Sequence, residues 1–389
     1  MSDRWRIPAA LGLCAVALAV GWWSKGRCIT DGNWEDGEEY RSWCYTDLFA
    51  LFYAERLDQG AVPYLDHPVE YPVLTGAQMY AGGVVTDTGE SFFHVSAAIN
   101  AAAMLGVVLL LARTEVPTSR LLVVAGLPTI ATVGLVNWDA VPMLLMLAGI
   151  LLHRRGRDGL AGVAVGLGVA AKLFPGLLIP IVVATRWRQG RRRDAAVHAG
   201  AAAGAWLAVN LPVMIAAPRA WGRFLELNRD RPADWDSLWY VAEQVRGFAY
   251  PTPSVNLLSL GWLLSGSALI VILFTRRHPP EEWWRLTLPL LAWFLLVSKV
   301  YSPQFSLWLV PLFALALPRL APLAAFAVAD LFVFAVRFPF LGGQIGLSPA
   351  PDYGVMAFAL LVRAAMLLWI VADATLDLPV RAAKTRAAA

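Results

Sequence analysis

Between Ile7 and Trp23 the chain carries no charged residue, and comparable apolar stretches return near residues 93–112, 120–136, 138–153, 159–171, 174–186, 195–215, 256–275, 285–299, 303–318, 320–340 and 354–375. A bilayer core is about 30 Å thick, so a crossing helix needs about 20 mostly apolar residues. The pattern therefore predicts an all-α polytopic membrane protein with about twelve transmembrane helices and a single integral membrane domain over residues 1–389. Two long polar segments interrupt it, residues 24–92 and 217–255. Within the first, Asp47, Glu55 and Asp58 share one side of a helical wheel and Phe49, Tyr53 and Leu57 the other, which predicts an amphipathic surface helix. Gly60 to Pro63 ends it, and Pro72, with its fixed backbone angle, opens a second surface helix over Val73 to Val85.

Charge orients these spans. Arg4 and Arg6, Arg113 and Arg120, Arg154 to Arg157, Arg186 to Arg193, Arg276 and Arg277, Arg319 and the tail Arg381, Lys384 and Arg386 all fall on one face, provided residues 24–92 do not cross. Short cytoplasmic loops are rich in Lys and Arg, so both termini are expected in the cytoplasm and both long segments outside the plasma membrane. With 58% hydrophobic residues, 15% charged residues and 17 tryptophans, the composition excludes a soluble domain. The basic clusters read as topology signals and attraction to membrane lipid, not nucleic-acid binding. Trp22, Trp23 and Lys25 stand where a signal peptide would need small residues, so the first stretch is expected to remain as an anchor.

The outer ends of the spans collect polar groups: "NWDAVP" with Asp139, "KLFP" with Lys172, "KVYSPQF" with Lys299, Tyr301 and Gln304, and "VRFP" with Arg337. Cations at helix ends commonly snorkel to the interface, and Thr46 or Asp47, like Asp139, can simply cap a helix. A second reading is chemical, because three cations on the face that disfavours them suit a phosphate, and Asp47 lies near Asp66, His67 and Glu70 in the same loop. Asp330 and Arg363 fall near the middle of the last two spans, where an unpaired charge is expensive; an ion pair between them is expected. Cys28 and Cys44 share a loop facing an oxidising compartment, either bridged just ahead of Asp47 or as free thiols. Neither the histidines nor the cysteines show zinc spacing, and the glycines of "GVAVGLGVAAK" suit close helix packing, not a phosphate loop.

Taken in order, "CYTDLFALFYAERLDQGAVPYLDHPVEYPVLTG", "KLFP" and "KVYSPQFSLWLVP" resemble the multi-spanning GT-C type glycosyltransferases that use polyprenol-phosphate sugars, above all actinobacterial mannosyltransferases. They are also similar to the mannosyltransferase of GPI-anchor synthesis. The resemblance implies inverting transfer of mannose from a polyprenyl phosphate to a hydroxyl of a glycolipid, polysaccharide or glycoprotein at the outer face. It makes Asp47 the base, Lys172, Lys299 and Arg337 holders of the donor phosphate, and Asp66, His67, Glu70, Asp139, Tyr301 and Gln304 substrate contacts. The GPI enzyme has a second acid two residues after the first, whereas Leu48 and Phe49 follow Asp47 here; no cofactor is expected and dependence on a divalent metal stays open. The absence of a nucleotide-binding fingerprint agrees with a lipid-borne donor. The rival readings are a flippase for polyprenyl-linked sugars or another transporter, with Asp330 and Arg363 as its pathway, and a noncatalytic assembly subunit.

Overall fold

The structure, a computed structural model, describes residues 3–30, 34 and 37–377; the basic tail Arg381, Lys384 and Arg386 lies outside them. The described residues form helices and connecting turns with no β-strand. All twelve apolar stretches are helical, but only six are single helices long enough to cross: Asp3–Thr30, Gly89–Ala112, Arg192–Ala216, Thr252–Thr275, Ala321–Gln344 and Tyr353–Leu376. The other six are short or broken. Proline explains most of the breaks, since it lacks an N–H and is best placed in a first helical turn. Pro128 restarts the third stretch after Thr118–Ala125, Pro175 sits in the tight turn Phe174–Leu177 ahead of Leu178–Arg188, and Pro303 opens the turn Pro303–Leu309 ahead of Val310–Leu315.

The short helices Ala140–Arg154 and Asp158–Ala171 have 15 and 14 residues, about 22 Å at 1.5 Å per residue, less than a bilayer core. Their ends are therefore buried in protein: Asp139 at the start of the first is fully buried, and the Lys172 side chain at the end of the second is 12% exposed. The opposite ends carry Arg154 and Arg157. That basic rim is tied down through free carbonyls, with Arg6 donating to Thr114 and Val116 and Arg120 to Leu317 and Pro318. Beneath it, Asp158 pairs with Arg186 and His153, and its backbone carbonyl meets His198. The glycine stripe packs closely: a Cβ on Gly162 would lie 2.3 Å from the His198 carbonyl oxygen, and one on Gly166 would lie 2.2 Å from that of Ala202.

The first long polar segment, residues 24–92, differs from its wheel. The helix that begins at Asp47 ends at Ala54, Arg56 turns left-handed at φ 55°, and Leu57–Gln59 is a separate tight turn. Glu55 and Asp58 therefore do not share a helical face with Asp47. Leu48 and Phe52 are the buried residues, with the Phe52 ring tilted against that of Phe92 at 5.1 Å between centroids, while Tyr53 is half exposed. The segment docks on the Gly89–Ala112 helix through these buried apolar side chains, whose removal from water favours the contact. The second helix begins after Pro72 and runs over Val73–Gly83; it too is packed into the bundle, with Thr75 fully buried and donating to the Ala171 carbonyl at 2.7 Å.

Candidate active site

Three local devices fix Asp47. The Thr46 hydroxyl caps the helix, receiving the Leu48 N–H at 3.2 Å and donating to the Leu135 carbonyl at 2.6 Å. The Asp47 N–H donates to the Val136 carbonyl at 2.8 Å, so the loop is clamped to the segment just before the Ala140–Arg154 helix. Cys44, three residues upstream, is joined to Cys28 at the end of the first helix by a disulfide. Capping thus belongs to Thr46, and the Asp47 carboxylate is free for other partners.

Those partners form one network. Tyr45 OH donates to Asp47 Oδ1 at 2.8 Å and Asn137 Nδ2 to Asp47 Oδ2 at 2.6 Å. Asn137 Nδ2 also lies 2.7 Å from Tyr71 OH. The Asn137 carbonyl oxygen accepts from the Trp138 N–H at 2.7 Å and from Lys172 Nζ at 3.3 Å. Lys172 Nζ makes its shorter bond, 2.6 Å, to Asp139 Oδ1, which the Trp308 indole N–H also reaches at 2.6 Å. Asp139 Oδ2 is buried without a partner. Lys172 is further lined by the rings of Phe305 and Trp308, at 5.5 and 5.9 Å from their centroids.

Burial pushes the Asp47 carboxyl above its ordinary value, against the opposing hydrogen bonds from Tyr45 and Asn137 and the charge of Lys172. The charge of Asp47, followed by burial, raises the Tyr45 hydroxyl, keeping it a donor; burial does the same to Tyr71. Asp47 remains partly exposed, and each of its oxygens accepts one bond from its neighbours. A carboxylate oxygen has two acceptor positions, so Asp47 can still take a proton from a hydroxyl presented to it.

The other residues singled out from the sequence fall into separate clusters. Lys299 Nζ donates to the carbonyls of Arg231, at 2.7 Å, and Arg229, at 3.2 Å, tying down the second long polar segment. Arg337 Nε pairs with buried Asp236 Oδ2 at 2.6 Å. Asp330 lies 3.7 Å from Arg363 and accepts from Ser306 at 2.6 Å, and the Arg363 guanidinium stacks 3.7 Å from the centre of the Tyr301 ring. Tyr301 and Gln304 are buried, and the Tyr301 hydroxyl meets Ser306 at 3.0 Å. Asp66 accepts the Val62 N–H at 2.7 Å, His67 is held by Glu55 at 2.8 Å, and Glu70 is exposed. Of the expected site residues, the structure thus gathers Asp47, Asp139 and Lys172 in one network. Tyr45, Tyr71, Asn137, Trp308 and Asp236 went unselected; the first four lie inside the quoted motifs, so proximity to a chosen acid or cation was the available signal. No group of three or more His, Cys, Asp or Glu side chains suited to a metal occurs among the described residues.

The helical bundle and its acid–cation site define a polytopic membrane protein with a built polar centre at one end of its short helices. Residues 90–299, more than half of the chain, match the model of glycosyltransferase family 87, and the chain belongs to that family. The match contains Asn137, Asp139, Lys172 and Lys299 and begins after Asp47. No curated protein sequence matches the chain. Among solved structures, the apo oligosaccharyltransferase of Archaeoglobus fulgidus is similar over 95% of this chain and 55% of its own, with a TM-score of 0.43 and 14% identity. ArnT from Cupriavidus metallidurans bound to undecaprenyl phosphate is similar over 97% of this chain and 77% of its own, with a TM-score of 0.46 and 16% identity. The chain thus spans little more than half the length of the oligosaccharyltransferase.

Proposed function

We propose that the protein transfers a sugar, mannose in the first instance, from a polyprenyl phosphate to a hydroxyl of a glycolipid, polysaccharide or glycoprotein at the outer face of the membrane, with inversion. The observation that carries this reading is the carboxylate of Asp47, a partly exposed residue, oriented by Tyr45 and Asn137, raised above its ordinary value and joined through Asn137 to Lys172 and Asp139. A carboxylate so raised is a better proton acceptor near neutral pH. Asp47 takes the proton of the acceptor hydroxyl as its oxygen bonds to the anomeric carbon. The bond from that carbon to the phosphate oxygen breaks, and polyprenyl phosphate leaves with the electron pair.

The leaving phosphate carries its charge without needing a proton, and cations hold it. An ammonium has three N–H donors; Lys172 spends two on Asp139 and Asn137, and Lys299 two on loop carbonyls, so each keeps one for phosphate. Arg337 pairs with Asp236 through Nε and keeps its terminal nitrogens for the same task. The orphan Asp139 Oδ2 is suited to a sugar hydroxyl. Asp66, His67, Glu70, Tyr301 and Gln304 complete the proposed substrate contacts.

The test is turnover of synthetic polyprenyl-phosphate-mannose by the purified chain and by Asp47→Asn, reading both released polyprenyl phosphate and glycosylated product. The variant is expected to lose about 10²- to 10⁴-fold in kcat while still binding donor, the usual weight of a general base. Full activity in a folded Asp47→Asn would remove Asp47 from the chemistry.

A further inference from the structure

A cleft of about 530 Å³ lies between the first outer loop at Tyr64–Pro68 and the beginning of the helix Pro218–Asp230, outside the Asp47 network. Its size is within the range of small-molecule sites, about 300–1,000 Å³. Arg219 and Arg223, four residues apart and so neighbours on one helix face, line one wall and make no ion pair among the described residues. Asp66 and His67 line the other, and Glu226 completes the charged lining.

The hydrogen-bond accounting of these walls is unfinished. His67 binds Glu55 through Nε2, its side chain is 11% exposed, and its Nδ1 is buried without a partner. With the proton on Nε2 facing the carboxylate, Nδ1 is an unfilled acceptor. Asp66 uses one oxygen for the Val62 N–H, leaving the other. The cleft therefore offers two guanidinium donors against an imidazole and two carboxylate acceptors, with formal charges that cancel. A phosphate would meet two carboxylates there. A hydroxyl, which both donates and accepts, meets partners of both kinds.

A chain of contacts also joins the cleft to the base. Tyr64 OH donates to the Tyr71 carbonyl at 2.9 Å, and the Tyr71 side chain lies against Asn137, which holds Asp47. We infer that this cleft is a subsite for an uncharged carbohydrate, the glycan part of the acceptor, gripped by Arg219, Arg223, Asp66 and His67; the inference rests on the transferase reading above.

The full chain, purified in detergent, would be assayed with polyprenyl-phosphate-mannose and a series from octyl α-mannoside to octyl mannotrioside, with direct binding of the same glycosides followed by ligand-observed NMR. Arg219→Gln/Arg223→Gln is expected to raise the KM for these glycosides about tenfold, the weight of a charge-assisted hydrogen bond, with kcat changed less than twofold. Arg246→Gln, an exposed arginine of the helix Leu238–Arg246 that does not line the cleft, should leave that KM unchanged. An unaltered glycoside KM in the double variant overturns the subsite while leaving the transferase reading intact. Donor hydrolysis with no glycoside bound or glycosylated overturns it too. A wild-type chain that neither transfers nor hydrolyses the donor overturns the transferase reading itself.

Discussion

Asn137 shows how one uncharged side chain can set the properties of a charged one. Its amide donates to Asp47 and contacts Tyr71, while its carbonyl takes Lys172, so it fixes both the rotation of the carboxylate and the distance to the cation. The bond to Asp47 favours the ionised carboxylate, opposing the burial that raises it. Asn137→Ala is therefore expected to raise the Asp47 carboxyl further. Because the base works ionised, the acid limb of the kcat/KM profile should move to higher pH in the variant, and kcat should fall more than donor KM rises. An unmoved acid limb would reduce Asn137 to packing. Asp47 itself was legible as a polar residue in a prominent place, but neither its partners nor its raised carboxyl was. Both depend on residues 90 and 125 positions away, which local spacing cannot bring together.

At the scale of elements, the segment around Asp47 is an eight-residue helix, too short to hold its shape in water without tertiary support. Its rigidity comes from the Thr46 cap, the Val136 carbonyl and the Cys28–Cys44 bridge, which closes a loop of 16 residues. Chain-entropy reasoning puts such a bridge at about 3 kcal/mol. Cys28→Ser/Cys44→Ser should lower the thermal midpoint and reduce kcat, because the loop carrying the base is then restrained from one side only; a stability change without any change in turnover would separate the bridge from the site. The expected surface helix had the right start and the wrong length. A wheel assumes that a helix continues, and Arg56 in a left-handed conformation ended it.

For the whole molecule, buried charge links the last two long helices to the second long polar segment. Asp330 meets Arg363; Arg363 Nη2 reaches the Asp236 carbonyl at 3.3 Å; Asp236 holds Arg337. Breaking a buried pair from one side leaves the other charge uncompensated and costs about 3–5 kcal/mol. Arg363→Leu should therefore destabilise strongly, and exchanging the two charges in Asp330→Arg/Arg363→Asp should recover part of the loss; no recovery would count against the pair as the source of stability. The proposed orientation is checked separately with single cysteines on a background in which Cys14 is Ser: one at Gly247 should react with an impermeant thiol reagent in intact cells, and one at Gly190 should not. The opposite pattern would put the Asp47 network on the cytoplasmic side.

The sequence by itself determined the solvent of this protein and the position of its helical segments, because apolar runs and arginine clusters are local properties that a bilayer reads directly. It also marked Asp47, Asp139 and Lys172, polar groups too costly to place at helix ends without a reason. Only the tertiary structure decided that half of the apolar segments are short or broken, that Asp139 and Lys172 are thereby buried as a pair, and that Asn137 joins them to Asp47. It also sent Lys299, Tyr301 and Arg337 to other partners. The physical reason is range: burial and hydrogen-bond partners depend on which helices become neighbours, and that depends on packing across the whole bundle.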